Sequence, residues 1–172
     1  MKYIKLAILA IALIISPLSF AYDFSGKQIS NMQKAYKHGM SSQNKDRKYN
    51  QLNIGYIMAA IIWQESSCGM DISNGHAVGA FQNYIPTVKS RMKQQGINRS
   101  SAQIKNELMN FNTSATWASV ELDSWLKTHK GDMRKALAGY NAGYKTNAGM
   151  GYSSSVIRKA TYLKSNNVLK VE

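Results

Sequence analysis

An apolar run that ends in a carboxylate constrains the fold of this chain more than any other sequence feature. Four apolar side chains precede Glu65 by eleven, seven, four and three residues: Ile54, Met58, Ile61 and Ile62. These intervals are close to whole helical turns, so the pattern predicts a buried helix whose apolar face continues into Glu65. Carboxylates rarely lie on a core face, which makes Glu65 the first candidate for chemistry.

The position of Glu65 supports two interpretations. Burial and the negative end of the helix dipole both disfavour the charged form, so the carboxyl would keep its proton near neutral pH, as a general acid requires. The alternative is a structural carboxylate that pairs with one of the many Lys and Arg residues of the chain. Position alone leaves both interpretations open.

The first 21 residues have the pattern of a secretory signal peptide. A short basic start precedes an apolar stretch at residues 6–15, and the small residues Ser19 and Ala21 stand three and one positions before a cleavage site. The apolar stretch is too short to span a bilayer. We therefore predict cleavage after Ala21, a single mature domain of residues 22–172 with no membrane span, and a periplasmic or secreted location. An uncleaved anchor is the alternative.

The mature domain would be strongly basic. Without Lys2 and Lys5, 20 of the 22 basic residues remain against 9 acidic ones, which gives a net charge of +11. An exported basic protein meets anionic surfaces such as lipid head groups, cell-wall polymers or nucleic acid. Binding to nucleic acid or to a membrane predicts basic residues clustered on one face with interleaved aromatics. The basic residues here are spread through the chain, so we expect no nucleic-acid or membrane partner.

Cysteine and histidine usage indicates neither disulfides nor a metal site. Cys68 is the only cysteine, so the core alone must hold the domain together. A thiol nucleophile needs an activating base, and none is identifiable beside Cys68, which we interpret as a buried filler. The three histidines are scattered and lack metal-ligand spacing. We therefore expect no metal and no cofactor.

The rest of the chain is patterned for helices. Besides the Glu65 helix, we predict helices at Gly26–Gly39, Thr87–Gln95, Ser101–Met109, Ser114–Lys127, Met133–Tyr140 and Ser153–Lys164. Residues 69–82 and 143–151 are rich in Gly and Asn and predict loops. Strand signals are limited to a short piece near residues 80–85. The prediction is an all-α, mainly helical fold with at most a very short β-hairpin.

Two glycine-bounded segments carry polar side chains suited to a site. Residues 73–82 end in Gln82, whose amide can both donate and accept hydrogen bonds. Residues 138–143 contain Tyr140, whose hydroxyl needs a partner if it is buried, and Asn141. Either segment alone is uninformative, because the first pattern is common and the second can be a simple helix C-cap.

The order of three motifs makes the pattern specific, and it resembles the soluble lytic transglycosylase (SLT-type) family of the lysozyme-like superfamily. The motifs are Glu65-Ser66, Ser73-x-x-His76-Ala77-Val78-Gly79-Ala80-Phe81-Gln82 and Ala138-Gly139-Tyr140-Asn141-Ala142-Gly143. The family has Glu-Ser, Ser-x-x-Gly-Ala-x-Gly-Leu-Met-Gln and Ala-Ala-Tyr-Asn-Ala-Gly in the same order. Residues 152–156 loosely match its later Tyr-Val-x-x-Val, and the resemblance covers about residues 52–162.

The chain departs from the family pattern around the substrate groove. His76 stands where the family has Gly, and Ala80-Phe81 replaces Leu-Met. The family's mid-domain Asn has no clean counterpart, since Asn112 is only nearby and a gapless alignment places Ser114 there. These departures bear on substrate detail more than on the type of reaction.

The resemblance implies a lysozyme-like α domain that cleaves the β-1,4 bond between N-acetylmuramic acid and N-acetylglucosamine in peptidoglycan glycan strands. Glu65 would protonate the leaving oxygen and then deprotonate the C6 hydroxyl of the same sugar, which gives a 1,6-anhydro product. Tyr140 would hydrogen-bond Glu65, and Ser66 would support the helix end. The substrate-binding residues would be Ser73, Gln82, Asn141 and Tyr152.

Two alternatives and the biological setting stay open. A goose-type lysozyme would hydrolyse the same bond, but hydrolysis usually needs a second carboxylate. The next along the chain is Asp71, in a polar loop where Asp is usually a turn residue. The other alternative is a non-catalytic protein that binds the cell wall or acts in its assembly. The owner can be a bacterium, where a secretion or cell-envelope apparatus is a candidate partner, or a virus.

Overall fold

The computed structural model describes residues 22–43, 45–75 and 77–171, without the side chains of Ser73 and Asn74. The predicted signal peptide, residues 1–21, and His76 lie outside these described residues. Within the described ranges, no helix combines the length and the apolar character needed to cross a membrane.

The described residues form seven helices and five two-residue strands. The helices are α1 (Gly26–Ser41), α2 (Ile54–Ser66), α3 (Ile85–Gln94), α4 (Ser101–Leu108), α5 (Phe111–Thr128), α6 (Met133–Ala142) and α7 (Thr146–Ser165). The strands are β1 (Lys48–Tyr49), β2 (Leu52–Asn53), β3 (Ser73–Asn74), β4 (Ala77–Val78) and β5 (Asn83–Tyr84). They pair antiparallel in the orders β1-β2 and β3-β4-β5. The predicted mainly helical fold is confirmed.

Helix α2 is the centre of the molecule. Its N-cap is Asn53, whose side-chain oxygen accepts a hydrogen bond from the Tyr56 N–H. Every residue from Ile54 to Ile62 is buried, so the helix is apolar on all sides rather than along one stripe. Helices α1 and α7 pack against it. Each large aliphatic side chain buried here stabilises the fold by roughly 1.5–3 kcal/mol, and Glu65 is carried at the end of this rigid element.

The predicted loop at residues 143–151 is wrong from Thr146 onward, because α7 begins there. Gly149 explains the difference. A Cβ at this position would collide with the carbonyl oxygen of Ala138, so only glycine lets α7 cross the backbone of α6 this closely. Glycine costs about 1 kcal/mol in a helix, and tertiary packing outweighs that local preference. Tyr152 therefore lies on a helix that crosses α6.

Short strands occupy the two loops around α2. The loop at residues 69–82 contains β3 and β4, and β5 follows directly and leads into α3. The β1–β2 hairpin precedes α2 and was not predicted. Strands of two residues are too short to produce the alternation by which a strand is identified in a sequence.

Candidate active site

A cleft of about 340 Å³ opens at the C-terminal end of α2. The turn before α3, one face of α3, one face of α5 and the end of α6 form its walls. The lining residues are Glu65, Ala77, Gln82, Asn83, Tyr84, Thr87, Val88, Arg91, Trp117, Glu121, Tyr140 and Asn141. Four predicted site residues from three separate segments therefore meet in one cavity: Glu65, Gln82, Tyr140 and Asn141.

Glu65 is half-buried in this cleft and is held by a tyrosine. The hydroxyl of Tyr152 donates a hydrogen bond of 2.5 Å to its Oε1. Desolvation raises the pKa of the Glu65 carboxyl, and the hydrogen bond from Tyr152 and the charge of Lys159 oppose that rise. Among the described residues no Lys, Arg or His forms an ion pair with Glu65. The arrangement can keep a proton on a carboxylic acid that faces a cavity.

The expected hydrogen bond from Tyr140 to Glu65 is not the one in the structure. The Tyr140 hydroxyl donates instead to the carbonyl oxygen of Phe81 at 3.5 Å. The rings of Tyr140 and Tyr152 stack with centroids 6.2 Å apart. Burial, and next the charge of Glu65, raise the pKa of both tyrosines, so both hydroxyls keep their protons and act as donors. The close crossing of α7 over α6 gives Tyr152 the position that sequence reasoning assigned to Tyr140.

Ser66 joins the end of α2 to the cleft wall. Its buried hydroxyl donates to the carbonyl oxygen of Ala80 at 2.5 Å and accepts from the Gly69 N–H at 2.8 Å. These bonds fix the loop after the helix in place. Cys68 in that loop is fully buried, and desolvation raises the pKa of its thiol to about 12. A thiol in this environment stays protonated and is a poor nucleophile.

Gln82 reaches the cleft from a strained turn. Its φ of 45° lies in the left-handed region that non-glycine residues adopt rarely, often at functional sites. Its side-chain nitrogen donates to the carbonyl oxygen of Gly79 at 2.9 Å. A Cβ at Gly79 would collide with the carbonyl oxygen of Leu108, so this turn also requires a glycine.

Ser114 holds that turn from the opposite side. It is fully buried, and its hydroxyl accepts hydrogen bonds from the Phe81 N–H at 3.1 Å and from the Asn83 side chain at 2.8 Å. Ser114 occupies the position at which the gapless alignment lacked the family's Asn. Sequence reasoning missed Asn83, whose pairing depends on a contact across more than thirty residues of chain.

The other predicted site residues have different placements. Asn141 is exposed at the end of α6 and lines the cleft. The backbone of Ser73 lies in β3, opposite Val78, and its side chain is outside the described part of the chain. Asp71 is exposed in the loop after α2 and is not part of the cleft lining.

The cleft contains a second carboxylate that the sequence analysis did not identify. Glu121 on α5 forms an ion pair with Arg91 on α3, with 2.8 Å between Arg91 Nε and Glu121 Oε2. The indole N–H of Trp125 donates to Glu121 Oε1 at 2.6 Å. Trp117, Glu121 and Trp125 are four residues apart, so the sequence already places them on one helix face. The partner Arg91 is thirty residues away along the chain and gave no such signal.

A mainly helical domain with a desolvated glutamate at the end of its central helix, facing a cleft, has the architecture of the lysozyme-like proteins. The sequence model of the transglycosylase SLT domain matches residues 40–159, which is more than half of the chain. The protein therefore belongs to the transglycosylase SLT domain family, and the resemblance noted in the sequence and the lysozyme-like fold are both confirmed. Members of this family act on peptidoglycan.

A curated relative matches nearly the whole chain. This is the "Uncharacterized 20.7 kDa protein in vs-regB intergenic region" of Enterobacteria phage T4, which is 44% identical over 176 aligned residues. The alignment covers 96% of this chain and 97% of the phage protein. The comparison with solved structures gave no significant match.

Proposed function

We propose that this protein is a lytic transglycosylase that cleaves the β-1,4 bond between N-acetylmuramic acid and N-acetylglucosamine and forms a 1,6-anhydro end. One observation carries the proposal: Glu65 faces the cleft with desolvation raising the pKa of its carboxyl, with a hydrogen bond from Tyr152, and with no ion-pair partner among the described residues. Family membership supports peptidoglycan as the polymer.

In the proposed mechanism Glu65 first donates its proton and then accepts a different one. The protonated carboxyl gives its hydrogen to the glycosidic oxygen as the bond from that oxygen to C1 breaks. The resulting carboxylate, which Tyr152 stabilises by its hydrogen bond, then takes the proton of the C6 hydroxyl as the oxygen of that hydroxyl bonds to C1. The acid is regenerated and no water is consumed.

The cleft walls supply groups that suit an N-acetylated sugar. Tyr84 is 53% exposed and Trp117 lines the same cavity, so aromatic faces are available for the apolar faces of sugar rings. The polar amide of Gln82 is held by its turn at the cavity edge. We assign sugar contacts to Gln82 and Asn141, and we keep Ser73 as a proposed contact because its backbone lies beside this wall.

A goose-type lysozyme that hydrolyses the same bond is the second candidate, because Glu121 provides another carboxylate in the cleft. Hydrolysis would require Glu121 to activate water or to act as a nucleophile. Its oxygens already accept from Arg91 and Trp125, which argues for a structural role.

The masses of the released fragments distinguish the two reactions. We expect digestion of purified peptidoglycan by the mature protein to yield anhydro ends, which are lighter than reducing ends by one water. Reducing ends would establish a lysozyme. If no fragments appear, a non-catalytic wall-binding protein becomes the better account.

We also propose that the protein is exported after cleavage at Ala21. The folded unit already includes Tyr22, whose ring packs edge-on against Trp63 with centroids 4.6 Å apart and whose backbone N–H donates to the Tyr162 hydroxyl at 3.0 Å. The phage relative favours a virus that acts on its host's wall over a bacterial secretion apparatus. The N-terminal sequence of the protein recovered from the periplasm tests the cleavage site.

A further inference from the structure

Three side chains of α7 contact the last turn of α2 in succession. The first is Tyr152, whose hydroxyl bonds Glu65. One turn further along α7 the Ser155 hydroxyl donates to the side-chain oxygen of Gln64 at 2.8 Å, and after another turn the Lys159 ammonium donates to the same oxygen at 2.8 Å. Residues three and four apart lie on one helix face. The crossing that brings Tyr152 to Glu65 therefore also places an ammonium group beside the same helix end.

The Lys159 ammonium is held from a second side by an aromatic face. Its Nζ lies 4.9 Å from the centroid of the Trp63 ring, within the range of a cation–π contact. Trp63 is itself fixed by Tyr22 and Phe24, which pack edge-on against it with centroids 4.6 Å and 4.9 Å away. One hydrogen bond and one aromatic contact thus define the position of an ammonium that usually sits on a flexible stem.

Lys159 lacks the partner that a half-buried lysine usually has. Ammonium groups removed from water are normally paired with a carboxylate, and desolvation lowers the pKa of Lys159. Within the described parts of the chain, however, Lys159 forms no ion pair. The carboxylate whose charge acts on it is that of Glu65, which follows Gln64 directly, and each of the two charges favours the other.

The other titratable groups near this pair compensate it little. The groups around Glu65 are Tyr152 from α7, Tyr140 from α6 and, across the cleft, the Arg91–Glu121 ion pair of α3 and α5. Those around Lys159 are Arg158 from the same helix and Cys68 from the loop after α2. Among its described residues, α1 adds no charge that acts on either group. Burial raises the pKa of the tyrosines and of the thiol, so they stay neutral, and solvent screens the exposed Arg158. Among these groups, Lys159 is therefore the cation that acts on Glu65 most directly.

We propose that Lys159 is a positioning residue for Glu65: its fixed ammonium stabilises the carboxylate that Glu65 becomes once its proton has gone to the glycosidic oxygen. The inference rests on the proposed function for that step. Neither Lys159 nor Gln64 lines the cleft, so the ammonium acts through the end of α2 without contact with the glycan. Because Coulombic attraction falls with distance, it favours the carboxylate less than a direct ion pair would, and desolvation can still keep the proton on the resting acid.

Variants of Lys159 test the role of its charge without any substrate. Lys159→Met keeps the length of the side chain, Lys159→Gln keeps a donor for Gln64, and Lys159→Arg keeps the charge. The matched control is Arg158→Met, which removes the same charge from the exposed neighbouring position. In a ¹³C NMR titration of the Glu65 carboxyl, we expect the midpoint to rise by about half a pH unit in both neutral variants. We expect it to stay near the wild-type value in Lys159→Arg and in the control. A midpoint that is unchanged in the folded neutral variants, or that moves as far in Lys159→Arg or in Arg158→Met, overturns the inference.

The pH dependence of activity gives a second readout. In Lys159→Met the alkaline limb of the pH–rate profile for muropeptide release should move to higher pH with the Glu65 midpoint. Turnover on the acid side of the profile should fall about threefold, because a weaker acid donates its proton less readily. A loss of turnover with an unmoved limb would show that Lys159 only supports the fold, and would contradict the inference. If the wild type releases no muropeptides, the proposed function fails, and the substrate-free titration alone decides the role of Lys159.

Discussion

Glu65 and Glu121 line the same cleft in opposite surroundings. Glu65 ends the central helix, receives one tyrosine hydroxyl and has no ion-pair partner among the described residues. Glu121 lies on α5 and accepts hydrogen bonds from a guanidinium and an indole. Both side chains are shielded from solvent to a large degree, so burial does not distinguish them. The two carboxylates differ instead in the groups that donate hydrogen bonds to them.

The comparison shows what makes one carboxylate suited to acid chemistry. The Arg91 guanidinium and the Trp125 indole occupy the Glu121 oxygens that a substrate would need. The Tyr152 hydroxyl orients Glu65 and opposes the rise in its pKa only in part, so desolvation, the largest effect, still favours the protonated form. On this account Glu65 carries the proton, and Glu121 fixes the cleft wall by its bonds to Arg91 and Trp125.

The largest expected effect separates the two carboxylates directly. We expect Glu65→Gln to lower the release of soluble muropeptides about a thousandfold or more, because a general acid contributes factors of this order. The measurement is muropeptide release from purified peptidoglycan, with circular dichroism to verify the fold. Substantial release by folded Glu65→Gln would remove Glu65 from the chemistry.

A smaller loss is expected when the donor to Glu65 is removed. Tyr152→Phe should reduce turnover about tenfold to a hundredfold, and Tyr140→Phe, the matched control from the stacked pair, should reduce it less. Because the Tyr152 hydrogen bond lowers the pKa of Glu65, its removal should move the alkaline limb of the pH–rate profile to higher pH. A larger loss in Tyr140→Phe would restore the role first predicted from the sequence.

Substitution of Glu121 should affect the stability of the protein more than its activity. Glu121→Gln keeps an acceptor for Trp125 but leaves Arg91 without its ion pair. We expect turnover within about fivefold of the wild type, and a decrease of about 1–2 kcal/mol in the free energy of unfolding measured in urea. A thousandfold loss of turnover with reducing ends in the wild-type products would instead identify Glu121 as a lysozyme-type second carboxylate.

The smallest effect is a dependence of stability on pH. The pKa of Glu65 is raised in the folded state, so its protonated form contributes stability that is fully present below the unfolded pKa and is lost as pH rises through the folded pKa. The free energy of unfolding of the wild type minus that of Glu65→Gln should therefore fall as the pH rises, by about 1 kcal/mol per unit of pKa shift. Urea unfolding between pH 4 and pH 8 measures it. A difference that grows with pH would contradict the raised pKa.

The sequence predicted those features of the fold and of the site that depend on the local pattern of residues. The apolar spacing before Glu65 located α2 and its terminal carboxylate, and the three ordered motifs identified segments that the fold brings to one cleft. Helix bounds were predicted within a few residues where a cap or an apolar stripe marks them. Ser100, for example, caps α4 with a side chain that accepts from the Gln103 N–H.

The sequence did not predict the side-chain pairs that depend on contacts between residues far apart along the chain. The hydrogen bond to Glu65 was expected from Tyr140 and comes in the structure from Tyr152, because the close crossing at Gly149 is a tertiary property. The pairing of Glu121 with Arg91 was missed for the same reason. In each case the decisive partner lies on a helix whose orientation no local pattern specifies.

A titration of the Glu65 side-chain carboxyl by ¹³C NMR, with the Glu65→Gln variant to assign its signal, tests the central claim most directly. We predict a midpoint above the ordinary glutamate value of about 4.3, and a higher midpoint still in Tyr152→Phe, since that hydrogen bond favours the ionised form. A midpoint at or below the ordinary value in the folded wild-type protein would contradict the account, because the cleft would then hold a permanent anion where the mechanism needs an acid.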